Sequence, residues 1–180
     1  MSQLSKLVYF DRKKLISDLR AVMITYFINC FILFFLLIML FTFLSYEELA
    51  SILSKYKNGQ IIYFLAPTKN NLIAFIQLGA LAPAIIEEII FRGPIWFLVY
   101  YEIKFKDPRF NLIFLLLAIP ALSYAWAIPH TFALPIFIVG IPAYILVIKT
   151  KNIFAPMLCH FISNLSIYIL LQISLYFKII

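Results

Sequence analysis

Long apolar runs, separated by short polar stretches, make up most of the chain. The first run, Ala21–Leu44, contains 24 residues without a formal charge, enough for a helix to cross a hydrocarbon core of about 30 Å. Three further runs cover about 111–128, 136–148 and 153–177, and a longer one covers about 71–101. The pattern predicts an all-α fold, a polytopic bundle of about five transmembrane helices.

The run at 71–101 is too long for one straight crossing of a bilayer. It contains Gly79, Pro83, Gly93 and Pro94. Proline lacks a backbone donor and its ring clashes with the preceding turn of a helix. We therefore expect this second span to be kinked or broken.

Basic residues between the runs predict the orientation of the chain. With a cytoplasmic N-terminus, ten Lys and Arg residues lie on the inner side and four on the outer side, while Arg92 lies within a span. This distribution agrees with the positive-inside rule. The chain then divides into a cytoplasmic amphipathic lead at 1–20, a first span with its connecting loop at 21–70, and a core at 71–177.

Composition supports the membrane assignment and excludes soluble classes. Hydrophobic residues make up 64% and charged residues 13% of the 180 residues, whereas a soluble domain is typically about 45–50% apolar and about 25% charged. The net charge of +7 comes from residues between apolar runs, so we expect membrane lipids, and no nucleic acid, as partners. Richness in Ile, Phe, Lys and Asn points to an AT-rich prokaryotic genome, and the expected location is a prokaryotic cell membrane.

Three formal charges lie inside the predicted second span, at Glu87, Glu88 and Arg92. A charge near the bilayer centre costs about 2.5–3.5 kcal/mol on insertion scales, so these residues need compensation. Glu88 and Arg92 are four residues apart and share a helix face, where they can form an ion pair. Glu87 is rotated by about 100° from Glu88 and has no partner in its own helix. That favours a catalytic role for Glu87; the alternative is one structural ion-pair cluster of all three charges.

Both histidines of the chain also lie in apolar surroundings. His130 follows Trp126 by four residues, and His160 precedes Asn164 by four in the last span. Straight, perpendicular helices would place the two histidines at depths that differ by roughly 18 Å, so we expect prolines to tilt or shorten spans 3 and 4. The histidines, Asn164 and Glu87 can then converge on one cavity between spans 2, 3 and 5.

These side chains suit the hydrolysis of an amide bond. Glu87 and a histidine can take a proton from water, while a second histidine and the Asn164 amide can donate to the oxyanion that forms. Glu87, His130 and His160 also fit a zinc site with an open fourth position. A non-catalytic role in holding spans together or docking a peptide stays open. A transporter is disfavoured, because the sequence shows no inverted repeat.

Three motifs on different spans resemble the signature of the CAAX-protease and bacteriocin-processing (CPBP or Abi) family of intramembrane proteases. The signature is Glu-Glu-x-x-x-Arg, then Phe-x-x-x-His, then His-x-x-x-Asn. In this chain Glu87–Arg92 carries the first motif and His160–Asn164 the third. The second motif is present with Trp126 in place of phenylalanine before His130. The resemblance covers about residues 71–177.

The resemblance implies an endopeptidase that cleaves membrane-associated or lipidated peptides and proteins by a glutamate-protease mechanism. Glu87 and His130 would activate water, and His160 and Asn164 would hold the oxyanion. Three residues would support the site structurally: Glu88, Arg92 and Trp126. Bacterial members are also linked to bacteriocin self-immunity, so a non-catalytic membrane immunity or peptide-binding protein is the alternative function.

We predict that no cofactor is needed. Asn164 lies one turn from His160 and is a poor zinc ligand, but its amide is a useful oxyanion donor. Zinc is the alternative cofactor. If a metal is present, its predicted ligands are Glu87, His130 and His160.

Overall fold

The computed structural model describes residues 12–43, 45, 75–103, 106–130 and 133–176, and these residues form helices without any strand. In chain order the elements are α1 (Arg12–Phe43), a π-helix (Phe75–Leu81), α2 (Ala82–Phe91), α3 (Gly93–Tyr100), α4 (Pro108–Ala127), α5 (Ala133–Thr150) and α6 (Phe154–Tyr176). The predicted all-α fold is confirmed. Residues 1–11 of the predicted lead and most of the predicted connection at 45–70 lie outside the described residues.

Three of the described helices are long and apolar enough to span a membrane, namely α1 over Lys13–Leu36, α4 and α5. A shorter apolar stretch, Phe154–Ile169, lies in α6. Many large apolar side chains of α1 and α4, such as Phe31 and Leu117, are exposed, as expected of side chains in contact with lipid. The chain is therefore a membrane protein. The number of crossings and the cytoplasmic N-terminus stay predictions.

The first helix is longer than the predicted span. It begins at Arg12 rather than at Ala21, because it contains neither glycine nor proline to interrupt its backbone hydrogen bonds. Near its start, Asp18 Oδ2 accepts hydrogen bonds from Lys14 Nζ at 3.0 Å and from Asn152 Nδ2 at 3.1 Å. These contacts tie the beginning of α1 to the loop between α5 and α6.

The predicted second span is broken, as expected. The π-helix, α2 and α3 follow one another, with an interruption at Arg92. Pro94 has no backbone N–H to donate to the carbonyl four residues earlier, so the series of helical backbone hydrogen bonds is interrupted there. The series resumes at Trp96, whose N–H donates to the Arg92 carbonyl at 2.9 Å. The break therefore comes immediately after the turn that carries Glu87 and Glu88.

Side-chain caps fix where α4 and α6 begin. α4 begins at Pro108 because Asp107 Oδ1 accepts a hydrogen bond from the backbone N–H of Arg109 at 2.8 Å. α6 begins in the same way, with Asn152 Oδ1 accepting from the N–H of Phe154 at 3.0 Å. The helices predicted at 111–128, 136–148 and 153–177 are thus present as α4, α5 and α6, with small shifts at their ends.

The central helix of the described bundle is α5, which packs against α1, α3, α4 and α6. Its Tyr144 and Leu146 are fully buried in two separate apolar clusters. Gly140 of α5 lets α4 approach closely, since a Cβ there would lie 3.1 Å from both Ser123 Oγ and Trp126 Cε3. The packing of α4 on α5 therefore constrains the position of the Trp126 indole.

Candidate active site

Glu88 and Arg92 form the buried part of the site. Their side chains are 1% and 0% exposed, and Arg92 Nη1 lies 3.2 Å from Glu88 Oε1. The same carboxylate oxygen lies 2.9 Å from Nδ1 of His160, which α6 brings against α2. Glu88 thus has two partners, one on its own helix and one on α6. The ion pair predicted from the four-residue spacing is present.

Arg92 is enclosed by aromatic rings. Its guanidinium carbon lies 3.9 Å from the centre of the Trp126 ring and 5.1 Å from that of Tyr144. The quadrupole of an aromatic ring attracts a guanidinium over its face, more strongly where water is excluded. Tyr144 also donates through its hydroxyl to the carbonyl of Phe91 at 2.9 Å, beside the break between α2 and α3. Tyr144 is not among the residues predicted from sequence, where no motif surrounds it.

Glu87 has different surroundings from Glu88. Its Oε2 accepts a hydrogen bond from Nε1 of Trp126 on α4, and its side chain is half-buried. Its Oε1 has no hydrogen-bond partner among the residues that the structure describes. The rotation of about 100° between neighbouring helical positions therefore separates the two glutamates. Both contacts of Glu88 are made by Oε1, and its Oε2 is buried without a hydrogen-bond partner among the described residues. Glu87 is half-buried, so water can reach its side chain.

His130 lies in the turn after α4. Its Nδ1 is 2.9 Å from the carbonyl oxygen of Trp126, and its ring packs edge-on against the indole with 5.4 Å between ring centres. Because a carbonyl oxygen only accepts hydrogen bonds, Nδ1 must carry the proton. Neutral His130 then presents an unprotonated Nε2. That nitrogen can accept a proton from water, which is the role the motif predicts.

His160 reaches the same indole from α6, edge-on and with 5.7 Å between ring centres. The two histidines therefore both contact one side chain, Trp126. Their convergence with Glu87 and Asn164 on one cavity stays a prediction. With Nδ1 directed at Glu88, Nε2 of His160 can donate to an oxyanion only when the ring is doubly protonated. The predicted oxyanion role of His160 thus requires an imidazolium.

Asn164 follows His160 by one turn of α6, on the same face. It is half-buried, and within the described parts of the chain its side chain makes no hydrogen bond. Its amide is therefore not committed to a structural contact there. The oxyanion role of Asn164, like the catalytic assignment of the other residues, stays a prediction.

The predicted zinc ligands do not form a compact set in this arrangement. Among the described residues, no three His, Cys, Asp or Glu side chains are grouped so that they could hold one metal ion. Nδ1 of His130 and Nδ1 of His160 each face a protein oxygen, which leaves their Nε2 atoms as the nitrogens able to bind a metal. Whether the reaction needs zinc stays a prediction that rests on the chemistry of Asn164.

An apolar cavity of about 980 Å³ lies between the α2–α3 segment and α6. Its walls include Ile85 and Ile89 of α2 and Phe161 of α6. Ile85 and Ile89 flank Glu88 along the chain, and Phe161 directly follows His160. The cavity is therefore lined by the same helices that carry Glu88 and His160, and its apolar walls suit a hydrocarbon chain.

The family comparison covers the same part of the chain. A family model described as type II CAAX prenyl endopeptidase Rce1-like matches residues 69–166, which is more than half of the chain and includes all three motifs. No curated protein and no solved structure matches the chain. The resemblance drawn from the motifs is confirmed by the family match. The chain belongs to the Rce1-like family of type II CAAX prenyl endopeptidases.

Proposed function

We propose that this chain is a glutamic intramembrane endopeptidase in which Glu87 and His130 activate water. The proposal rests on the unlike surroundings of two adjacent carboxylates. Glu88 is buried between a guanidinium and an imidazole. Glu87 is half-buried, with one oxygen fixed by Trp126 and the other without a hydrogen bond to the described residues. Oε2 of Glu88 also has no hydrogen-bond partner among the described residues, but it is buried. A carboxylate that is oriented and still accessible to water is suited to accept a proton.

The proposed reaction is a hydrolysis without a covalent intermediate. Glu87 takes one proton from water, with His130 orienting that water through Nε2, and the hydroxide oxygen bonds to the scissile carbonyl carbon. The carbonyl oxygen becomes an oxyanion that accepts hydrogen bonds from His160 and Asn164. The C–N bond then breaks, and the proton held by Glu87 passes to the leaving amine. The products are one amine and one carboxylic acid, which gives its remaining proton to water and becomes a carboxylate.

The proposed substrates are membrane-associated or lipidated peptides and proteins. The apolar cavity lined by α2, α3 and α6 has room for a hydrocarbon chain, so a lipid attached to the substrate can lie there. Because the anchor of such a substrate already lies in lipid, its entry into the cavity removes little further apolar surface from water. Its packing against the cavity walls would instead orient the substrate.

The test of the function is Glu87→Gln. Glutamine keeps the size of the side chain and an oxygen that can accept from Trp126, but it cannot take the proton. Membrane peptides from cells that make wild-type or variant protein are compared by mass spectrometry. We expect peptides released by the wild type to be absent with Glu87→Gln, at an equal amount of folded protein.

The matched control is Glu102→Gln, because Glu102 is an exposed carboxylate paired with Lys151 and lies outside all three motifs. This control should leave the released peptides unchanged. Identical peptide sets from wild type and Glu87→Gln would refute the proposed function. A non-catalytic immunity protein would instead protect cells equally well with glutamate or glutamine at position 87.

A further inference from the structure

Trp126 makes one contact that the phenylalanine of the family motif cannot make. Its indole Nε1–H donates a hydrogen bond to Oε2 of Glu87. Phenylalanine at this position would pack in a similar way but would carry no donor. The substitution of tryptophan for phenylalanine therefore adds a polar function to a position that otherwise serves packing.

The rest of the indole is held from several sides. The Arg92 guanidinium covers its face at 3.9 Å, and the rings of His130 and His160 pack against it at 5.4 and 5.7 Å between centres. On the side that faces α5, the indole packs directly against Gly140, since a Cβ there would lie 3.1 Å from Cε3 of Trp126. A ring enclosed in this way cannot turn its N–H away from Glu87 without moving its neighbours.

We infer that Trp126 is the positioning residue for Glu87. The indole N–H fixes Oε2, and this orients the carboxylate with Oε1 free to take the proton from water. The inference rests on the proposed function. A hydrogen bond to a charged group contributes enough that its loss should lower kcat by roughly tenfold to a hundredfold. KM should change little, because Trp126 does not contact the substrate in the proposed reaction.

The hydrogen bond can be observed without a substrate. The chain has two tryptophans, Trp96 and Trp126, so a ¹⁵N-labelled sample gives two indole signals by NMR, and Trp96→Phe identifies them. We expect Glu87→Gln to move the Trp126 indole proton upfield, because a neutral amide oxygen is a weaker acceptor than a carboxylate. Glu102→Gln should leave the Trp126 signal in place. A Trp126 signal that is indifferent to Glu87→Gln would overturn the inference.

The kinetic test removes the donor and keeps the ring. In the Trp96→Phe background, Trp126 is the remaining tryptophan and can be replaced by benzothienylalanine, in which sulfur takes the place of the indole N–H. The Trp96→Phe protein and its analogue-containing form are assayed on a substrate that the wild type cleaves and Glu87→Gln does not. We expect kcat to fall by roughly tenfold or more, with nearly unchanged KM and melting temperature.

The failures of the two proposals are distinguishable. An analogue protein with unchanged kcat, together with an inactive Glu87→Gln variant, would refute positioning by Trp126 and leave the proposed function standing. An active Glu87→Gln variant would refute the proposed function. In that case the NMR comparison still decides whether the indole binds Glu87.

Discussion

Replacing Arg92 with methionine tests whether the buried ion pair stabilises the fold. The change leaves Glu88, which is 1% exposed, without the cation of its own helix. Removing one partner of a buried pair costs about 3–5 kcal/mol. The contacts with Trp126 and Tyr144 at 3.9 and 5.1 Å are lost as well, and a desolvated cation–π contact contributes about 2 kcal/mol.

These contributions share one guanidinium and do not simply add, so we take about 3–5 kcal/mol as the expected loss. Typical unfolding free energies are about 5–15 kcal/mol, so Arg92→Met should lower the amount of folded protein as well as its activity. The assay is unfolding by SDS titration in mixed micelles, followed by circular dichroism, with the amount of folded protein in the membrane as a second measure.

A double variant separates charge from packing. Glu88→Gln together with Arg92→Met removes both charges and should cost less than Arg92→Met alone, because in the single variant a buried carboxylate is left with His160 as its partner and without the guanidinium. As a surface control, Glu102→Gln breaks a pair whose side chains are 52% and 63% exposed, and it should cost under about 1 kcal/mol. A variant Arg92→Met that is as stable as the wild type but inactive would refute the structural role and place Arg92 in substrate binding.

Three other changes test the surroundings of the site. Gly140→Ala puts a methyl group 3.1 Å from Ser123 Oγ and Trp126 Cε3, so we expect the free energy of unfolding to fall by about 1–3 kcal/mol and the activity to fall as well. Adding Ser123→Gly should restore part of both; a double variant no better than Gly140→Ala would contradict this contact between α4 and α5. Asn164→Ala should lower kcat by about 10²–10³ if the amide holds the oxyanion, and near-normal kcat would remove Asn164 from the mechanism. Chelators should leave the purified enzyme active, whereas loss of activity that zinc restores would favour the metal-dependent mechanism on the same residues.

The helical architecture could be predicted because membrane helices depend on local sequence. An apolar run of sufficient length has few alternatives to a helix in lipid, and the break near Arg92 follows from Pro94. The beginning of α1 at Arg12 rather than at Ala21 could not be read from hydropathy. A helix does not end where the membrane ends, and residues 12–20 contain no glycine or proline that would interrupt it.

The site was predictable only as far as contacts within one helix. The four-residue spacing of Glu88 and Arg92 and the rotation of Glu87 away from them follow from helical geometry. Contacts between helices depend on how the helices pack, which the helical periodicity of a single segment does not specify. The hydrogen bond from Trp126 to Glu87 and the approach of His160 to Glu88 belong to that second kind. The tryptophan at a motif position that otherwise holds phenylalanine was the one feature of the sequence that pointed to the hydrogen bond with Glu87.

Two adjacent glutamates with unlike surroundings have a physical advantage for the proposed reaction. The charges of Glu88 and Arg92 cancel in the buried part of the site, so their pair stays the same throughout. Glu87 is negative before it takes the proton from water, and the oxyanion held by His160 and Asn164 is negative afterwards. A charge created in a medium of low dielectric constant is costly, whereas a charge displaced between groups that are already oriented needs little reorganisation. One glutamate therefore neutralises the guanidinium permanently, and the other is left free to transfer its charge to the transition state.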